Sequence, residues 1–591
     1  MNVEPLVVLD DAKAQRLRIF DEPRAVVQAM TPAELMPAFA DMQFALDAGH
    51  HLAGYFSYEL SYLLENRLAP LLPAVRPVPL LWFGVFARPP RVLEGAETAA
   101  FWAGGRAWAG TLTPEWDEQA YGERFARIVE WIASGDIFQV NLSLRARFPV
   151  IGSARALHRE LRAHAGAEHG AFIHDGERQI LSFSPELFFK VSRDGVILTR
   201  PMKGTAPRAQ DPAADAALRA ALAASPKDRA ENLMIVDLLR NDLGRIAEIG
   251  SVAVPSLFDV ETYPTVYQMV SSVSARLQPG TGIERIVRTL FPCGSVTGAP
   301  KIRAMEIVHA LEASPRGVYC GAIGHFAPDG SAAFNVAIRT LTIAGGCGEL
   351  GIGGAIVADS SLASEYAECR LKAGYFEKAH RPLLLIETLR HEEGAFVRCA
   401  LHLQRMRASA CSFGIPFDQK EAATALAEVV AGKWGALRVR LTLDEAGRFA
   451  ATATTLAAKP RAWRYEISPV RLASDDPLLR HKTNWRDVHD GEMTRLKAQS
   501  NCDEVLFLNE KEQFCEGSRS NLFVEIDGML LTPALSSGLL DGCLRREMLT
   551  LAQCREALLT RSDLDRAGRI YLGNSLRGLI PAVPVTCIGS L

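Results

Sequence analysis

The chain has 591 residues, of which 48% are hydrophobic, and 65 basic against 68 acidic side chains leave a net charge of −3. That length exceeds one hydrophobic core, so two to four domains are expected, and the absence of a basic stripe argues against a nucleic-acid partner. The opening MNVEPLVVLDDAKAQ lacks the charged start and apolar run of a signal peptide, and no apolar run is long enough for a bilayer, so no membrane partner is expected. The 11 cysteines include no CxxC pair, which suits free thiols in a reducing cytoplasm better than a disulfide framework or a zinc site.

Taken in chain order, residues 1–120 are mixed, with HLAGYFSYELSYLLE (51–65) reading as a strand running into a helix. YGERFARIVEWIASGD (121–136) has helical spacing and a glycine stop, and IFQVNLSLRARF (137–148) alternates as a strand does. SPKDRAENLMIVDLLRNDLGRIA (225–247) begins with Ser225 as N-cap and Pro226 at the first helical position. GCGELG (346–351) matches a dinucleotide-binding pattern but opens no helix, so a hairpin turn is expected there. GSVTGAPK (294–301) lacks the ending of a phosphate-binding loop. A junction falls in 374–389, where Pro382 breaks a helix before a new strand, and no internal repeat is visible.

Asp228 and Glu231 stand three apart on the expected 225–247 helix, and Glu365 and Glu368 repeat that spacing in SEYAECRLK, with Lys372 a turn further on. Such pairs are either solvated charges or oxygen ligands converging on one hard cation such as Mg2+. Lys203, in RPMKGTAPR (200–208), lies between Arg200 and Arg208, neighbours that give a lysine reason to shed its proton. It reads as a nucleophile, a phosphate clamp or a residue in a turn.

The blocks SFSPELFFK, RPMKGTAPR, KDRAENLMIVDLLRNDLGRI, FPCGSVTGAPKIRAMEIV, YCGAIGHF, FNVAIRTL and GGAIVADSSLASEYAECRLK, spread over residues 182–372, resemble the chorismate-binding enzyme family. The resemblance implies Glu231 and Glu368 as the main Mg2+ ligands, supported by Asp228 and Glu365. It implies Tyr319, Arg339 and Lys372 on the substrate carboxylates, and Thr297 and Gly298 approaching the substrate. Glu186 becomes the general acid for the departing C4 hydroxyl, a task that needs a raised pKa. Members that make anthranilate commonly carry a small residue where Lys203 stands; those that make aminodeoxychorismate carry lysine. Lys203 is thereby expected to attack C2 of chorismate, after which ammonia adds at C4 and expels it. Gln139 stands where relatives that add water carry a lysine base, and Gln268 where relatives that eliminate pyruvate carry histidine. Neither of those further reactions is expected of this part. No GxCxG elbow occurs, so ammonia is expected from solution or from a glutamine amidotransferase subunit.

Farther along, ETLR (387–390), LHLQRMRASA (401–410), RHKTNWRDVH (480–489), CEGSRSNLF (515–523), GLLDGCLRREML (538–549) and YLGNSLRGL (571–579) resemble the fold-type IV pyridoxal-phosphate family. The resemblance implies that Lys482 binds the aldehyde of pyridoxal 5'-phosphate and later moves the Cα proton, and that Glu516 faces the pyridine nitrogen. Arg405, the backbone at Cys543 and Leu544, and the Asn574–Ser575 turn would hold the phosphate; the family commonly has Ile-Thr at the GCLR position.

Together these resemblances imply an α+β protein. A chorismate-binding fold of packed antiparallel sheets with outer helices spans 1–378 (1–120 and a 121–375 core). A two-subdomain fold-type IV domain follows over 379–591, a kind that allows a homodimer. The expected chemistry is chorismate plus ammonia to 4-amino-4-deoxychorismate, then to 4-aminobenzoate and pyruvate, in folate synthesis. The alternatives for the second domain are a transaminase or a non-catalytic docking module.

Overall fold

The computed structural model describes residues 4–263 and 266–585. By packing, the chain forms two compact units. The first holds the chain up to Ala103 together with Thr111–Phe148 and Ala154–Ala379; the second holds Gly104–Gly110, Pro149–Ser153 and the chain from His380 onward. Where the sequence suggests one boundary at 378/379, packing adds two short earlier segments to the second unit.

The first unit is built on two large sheets. One runs in the order Gly298–Ala299, Gln139–Gly152, Cys347–Ile356, Thr340–Ala344, Gln179–Ser184, His169–His174, Leu6–Asp11, Arg16–Phe20, Arg91–Glu94. The other runs Met202–Pro207, Val266–Arg276, Val196–Thr199, Leu187–Val191, Ala332–Val336, Ala322–Phe326, His51–Phe56, Leu81–Phe86, Ala25–Ala29. Val7, Ala171 and Ile180 from the first meet Tyr55, Trp82 and Ile323 from the second in a common core, the burial that drives two half-apolar sheets together. Helix Leu362–Ala379 packs on strand Cys347–Ile356, and helix Pro226–Gly244 on strand Val266–Arg276.

Local signals set several of these elements. Helix Pro226–Gly244 starts at Ser225, whose hydroxyl accepts from Asp228 N at 3.2 Å. The 121–136 pattern becomes helix Glu118–Ala133, capped by Asp117, and the alternating stretch after it becomes strand Gln139–Gly152. GCGELG lies in an antiparallel hairpin whose Gly345 and Gly346 have φ of +55° and +78°. Lys301, at the end of GSVTGAPK, is engaged by Asp242 Oδ2 at 2.8 Å. The helix expected within 51–65 shrinks to Ser61–Leu64 behind a 3-10 turn. No described helix is long and apolar enough to cross a membrane.

The second unit has two sheets, as expected of two subdomains. A four-stranded sheet, ordered Ala395–Phe396, Leu384–Glu392, Leu437–Asp444, Phe449–Thr455, carries helices Cys399–Phe413 and Gln419–Val430. Its core joins Leu385, Leu389, Met406, Leu426, Val439 and Leu441 to Trp108, which arrives from the earlier segment and meets the Phe413 ring edge-on at 4.9 Å. An eight-stranded mixed sheet follows, with strand Trp463–Leu472 parallel to Glu504–Asn509 and to Gly578–Pro584.

Candidate active sites

In the first unit, Lys203 lies on strand Met202–Pro207, followed by Gly204 at φ +92°. A Cβ on Gly204 would stand 2.9 Å from the Asp228 Cβ, so glycine lets this strand run close along helix Pro226–Gly244. Lys203 is coupled electrostatically to Lys372, Glu231, Glu186 and Glu368. Burial lowers its amine below the ordinary lysine range and Lys372 pushes the same way, against the three carboxylates.

Glu186 is 4% exposed, and its Oε1 has no hydrogen-bond partner among the described residues. Burial pushes its carboxyl up to about 7, against the opposing pull of a Ser295 hydrogen bond and the Lys203 charge. With a value about 7, a substantial share of the carboxyl keeps its proton at neutral pH, as a general acid requires.

The two acidic pairs do converge. Burial raises Glu231; Lys203 and Lys227 oppose, and Asp228 and Glu365 reinforce the rise. Glu365 accepts from Ser360 Oγ at 2.6 Å through Oε1, while its Oε2 is buried without a partner among the described residues. Lys372 Nζ donates to Glu368 Oε1 at 2.8 Å and to Gly353 O at 2.9 Å. A Cβ on Gly354 would come within 3.2 Å of Glu365 Oε2, so the strand passes directly over that carboxylate. Carboxylates that raise one another's pKa, one with an unpaired buried oxygen, suit a hard divalent cation.

A second wall adjoins Glu186. Gly298 has φ +146°, and a Cβ on it would sit 2.2 Å from Gln139 O. Gln139 is fully buried, with neither amide atom bonded among the described residues. The Thr297 hydroxyl is directed to Cys293 O and Gly294 O at 3.2 and 3.3 Å. The pattern reading missed Arg316, which donates to Val296 O at 2.8 Å and Asn141 O at 2.7 Å and so ties the 294–298 turn to the Gln139 strand. Glu312 pairs with this buried arginine at 2.6 Å. Tyr319 stacks beneath Gly351, where a Cβ would be 2.1 Å from its ring. Arg339 has φ +50° and no ion pair among the described residues. Burial lowers its guanidinium, with Tyr375 and Tyr263 opposing. No hydrogen bond or ion pair among the described residues joins Tyr319 or Arg339 to Lys203.

In the second unit, Lys482 O accepts from Ile386 N at 2.8 Å, which pins the lysine beside strand Leu384–Glu392. Burial drives its amine down to about 8, helped by Arg486 and Arg405 and opposed by Glu387 and Glu516. Glu516 accepts from Leu540 N at 3.1 Å through Oε2, and its Oε1 lies 3.3 Å from His489 Nε2. Arg405 is buried beside Asp541 O at 3.0 Å. Gly542 caps helix Cys543–Thr550, which presents the backbone N–H groups of Cys543 and Leu544. Asn574 Oδ1 accepts from Arg577 N at 3.0 Å, which shapes the turn holding Ser575. A buried lysine near neutrality, an opposed carboxylate and a helix N-terminus beside an arginine together fit pyridoxal 5'-phosphate. The pattern reading passed over Glu387 and His402. With Cys543 they bring metal-ligand atoms within 4.8 Å of one another. Both Glu387 oxygens already accept from Arg405, at 2.8 and 2.6 Å, so a cation would have to displace charge-assisted bonds.

Residues 4–378 match the model of chorismate binding enzymes, and residues 384–585 match amino-transferase class IV. The chain is 46% identical over 282 residues to aminodeoxychorismate synthase component 1 of Klebsiella aerogenes, a match covering 47% of this chain and 61% of that protein. It is 48% identical over 242 residues to aminodeoxychorismate synthase of Streptomyces griseus, covering 41% of this chain and 34% of that one. The chain thus spans less than two thirds of either relative. Anthranilate synthase component I from Streptococcus pneumoniae TIGR4 shares the fold, with a TM-score of 0.53 at 23% identity over 63% of this chain and 92% of its own. With its first 4–378 residues matched over more than half its length, the chain belongs to the chorismate binding enzyme family.

Proposed function

We propose that the first unit converts chorismate and ammonia to 4-amino-4-deoxychorismate and that the second cleaves this product to 4-aminobenzoate and pyruvate. The observation that carries the reading is a buried Glu186 with a partnerless oxygen among the described residues, its carboxyl pushed up to about 7, beside a Lys203 whose amine burial lowers below the ordinary lysine range. The Lys203 amine adds to C2 of chorismate, the ring double bonds shift, and the C4–O bond breaks as Glu186 gives the leaving hydroxyl its proton. Ammonia then adds at C4, the double bonds shift back, and the C2–N bond breaks to return the lysine. Asp228, Glu231, Glu365 and Glu368 would hold Mg2+, which would bind and orient substrate oxygens. Tyr319, Arg339, Lys372, Thr297, Gly298 and Gln139 would line the substrate. The 46% identity to a protein named aminodeoxychorismate synthase component 1 supports this half, and a glutamine amidotransferase partner supplies the ammonia.

In the second unit, Lys482 would hold the aldehyde of pyridoxal 5'-phosphate and would carry a proton to and from the amino-bearing carbon. An amine near 8 can do both. Glu516 would face the ring nitrogen. Arg405, Ser575, Asn574 and the Cys543–Leu544 backbone would hold the phosphate. When bound, the cofactor supplies an electron sink. Loss of pyruvate makes an aromatic ring, which drives the second step.

The test is to incubate the pure chain with chorismate, Mg2+ and ammonium in the presence of pyridoxal 5'-phosphate and identify the products. 4-Aminobenzoate and pyruvate in equal amounts are expected. Anthranilate would overturn the first assignment, and glutamate formed when 2-oxoglutarate is also supplied would overturn the second.

A further inference from the structure

Beside Lys482, two buried side chains that have no part in the reaction above, Glu387 and His402, are bonded to the proposed phosphate residues Arg405 and Ser575. Glu387, on strand Leu384–Glu392, accepts from Arg405 Nε and Nη2 and lies 2.6 Å from His402 Nδ1. The other ring nitrogen, His402 Nε2, lies 2.8 Å from Ser575 Oγ. All four side chains are buried, so water does not compete for these bonds.

We propose that His402 is a positioning residue that aims the Ser575 hydroxyl at the cofactor phosphate and takes up one proton as that phosphate binds. The inference rests on reading Ser575 and Arg405 as the phosphate cradle. A carboxylate only accepts, so the nitrogen facing Glu387 carries a hydrogen. A serine hydroxyl has one proton to give. With Nε2 bare, that proton is committed to the ring, and Ser575 meets the phosphate with lone pairs only. A proton from solvent on Nε2 reverses the bond. Ser575 then accepts from Nε2–H and donates its own hydrogen to a phosphate oxygen, which has none to offer.

The surrounding charge favours that arrangement. Arg405 offsets Glu387 in a bidentate pair, so the added proton is left facing the anion. The other groups nearby are the Lys482 amine, the Cys543 thiol, Arg546 and Asp541. Burial pushes Cys543 up to about 11, so it stays uncharged. Arg398, at the start of helix Cys399–Phe413, donates to Ser575 O at 3.4 Å and pairs with Glu547.

Pyridoxamine 5'-phosphate is the probe, because it presents the same phosphate without an aldehyde for Lys482. Calorimetric titration near pH 8 in two buffers of different ionisation enthalpy counts the protons absorbed on binding. The wild-type chain should take up about one proton more than Ser575→Ala or His402→Phe. Its affinity should weaken by up to about tenfold per pH unit on the alkaline side, a slope that both variants lose. Ser575→Ala removes a single hydroxyl, so it reads the linkage even if His402→Phe does not fold. Equal proton uptake by the wild type and Ser575→Ala, with binding retained, would overturn the inference while leaving the cradle standing. No binding of the probe by the wild type would overturn the cradle reading and the inference with it.

Discussion

A lysine that attacks carbon must be free of its proton, and a carboxyl that helps a hydroxyl leave must keep one. Burial serves both at once, lowering Lys203 and pushing Glu186 up to about 7. Lys203→Ala removes the proposed nucleophile and should cut aminodeoxychorismate formation by at least about a thousandfold. A variant within about tenfold of wild type, assayed with the second step supplied separately, would end the nucleophile role. For Glu186 the sign follows from its raised value. The acid form is present below about 7 and is lost above it, so turnover of the first step should fall toward tenfold per unit at higher pH. Glu186→Gln should flatten that limb and lose about a hundredfold or more. It should also gain stability at pH 8, because the raised carboxyl stabilises the fold fully below its unfolded value of 4.5 and loses that contribution as pH rises through about 7. Thermal melts of the two proteins at pH 5 and pH 8 measure the difference. The motif around Lys203 was legible in the sequence. The partnership of Ser295 with Glu186 was not, because 109 positions of chain separate residues that folding makes neighbours.

At the scale of elements, two helices bring the proposed Mg2+ ligands together. Each carries its acids at i and i+3, a spacing that puts both on one face, and this was readable from the sequence. What spacing could not say is that helices Pro226–Gly244 and Leu362–Ala379 face a common site; that follows from the sheets on which they pack. The Glu368–Lys372 pair, at 2.8 Å, follows from i,i+4 spacing, but the orphaned oxygen of Glu365 does not. Glu231→Gln should raise the Mg2+ concentration needed for half-maximal first-step activity by about tenfold or more, with chorismate binding weakened alongside. Full first-step activity of the wild type in excess EDTA would refute the metal site. The helix start at Ser225 was legible because capping is local chemistry, whereas the start at Asp117, ahead of the 121–136 pattern, was not read. The buried Arg316–Glu312 pair was not, since a lone arginine reads as surface until its partners are placed.

Two units were legible in the whole chain from the proline-broken junction near 382 and the change of motifs across it. The membership of Gly104–Gly110 and Pro149–Ser153 in the second unit was not, because nothing in those short stretches names the core they join. Trp108 is the consequential case, 2% exposed within the Leu389–Phe413 core. Trp108→Ala should destabilise the second unit by about 3–5 kcal/mol. Hydrogen exchange should quicken in helix Cys399–Phe413 and not in helix Pro226–Gly244. Equal loss of protection in both helices would contradict the division into units.

Separate cores also predict separable chemistry. Lys482 lies in the second unit and Lys203 in the first, so loss of one amine should not remove the other's reaction. Lys482→Ala should fail to develop the absorbance of bound pyridoxal 5'-phosphate, since the residue proposed to hold its aldehyde is gone. It should still consume chorismate with ammonium and Mg2+ at close to the wild-type rate. The non-aromatic 4-amino-4-deoxychorismate should then accumulate, because Gln268, which accepts through Oε1 from the Thr205 hydroxyl at 2.9 Å, cannot take up a proton as a histidine could. Lys203→Ala in the same assay should leave chorismate untouched yet convert supplied 4-amino-4-deoxychorismate to 4-aminobenzoate. Mixing the two variants should restore the full sequence through the released intermediate. Formation of 4-aminobenzoate by Lys482→Ala at the wild-type rate would move the cleavage step out of the second unit and into the first.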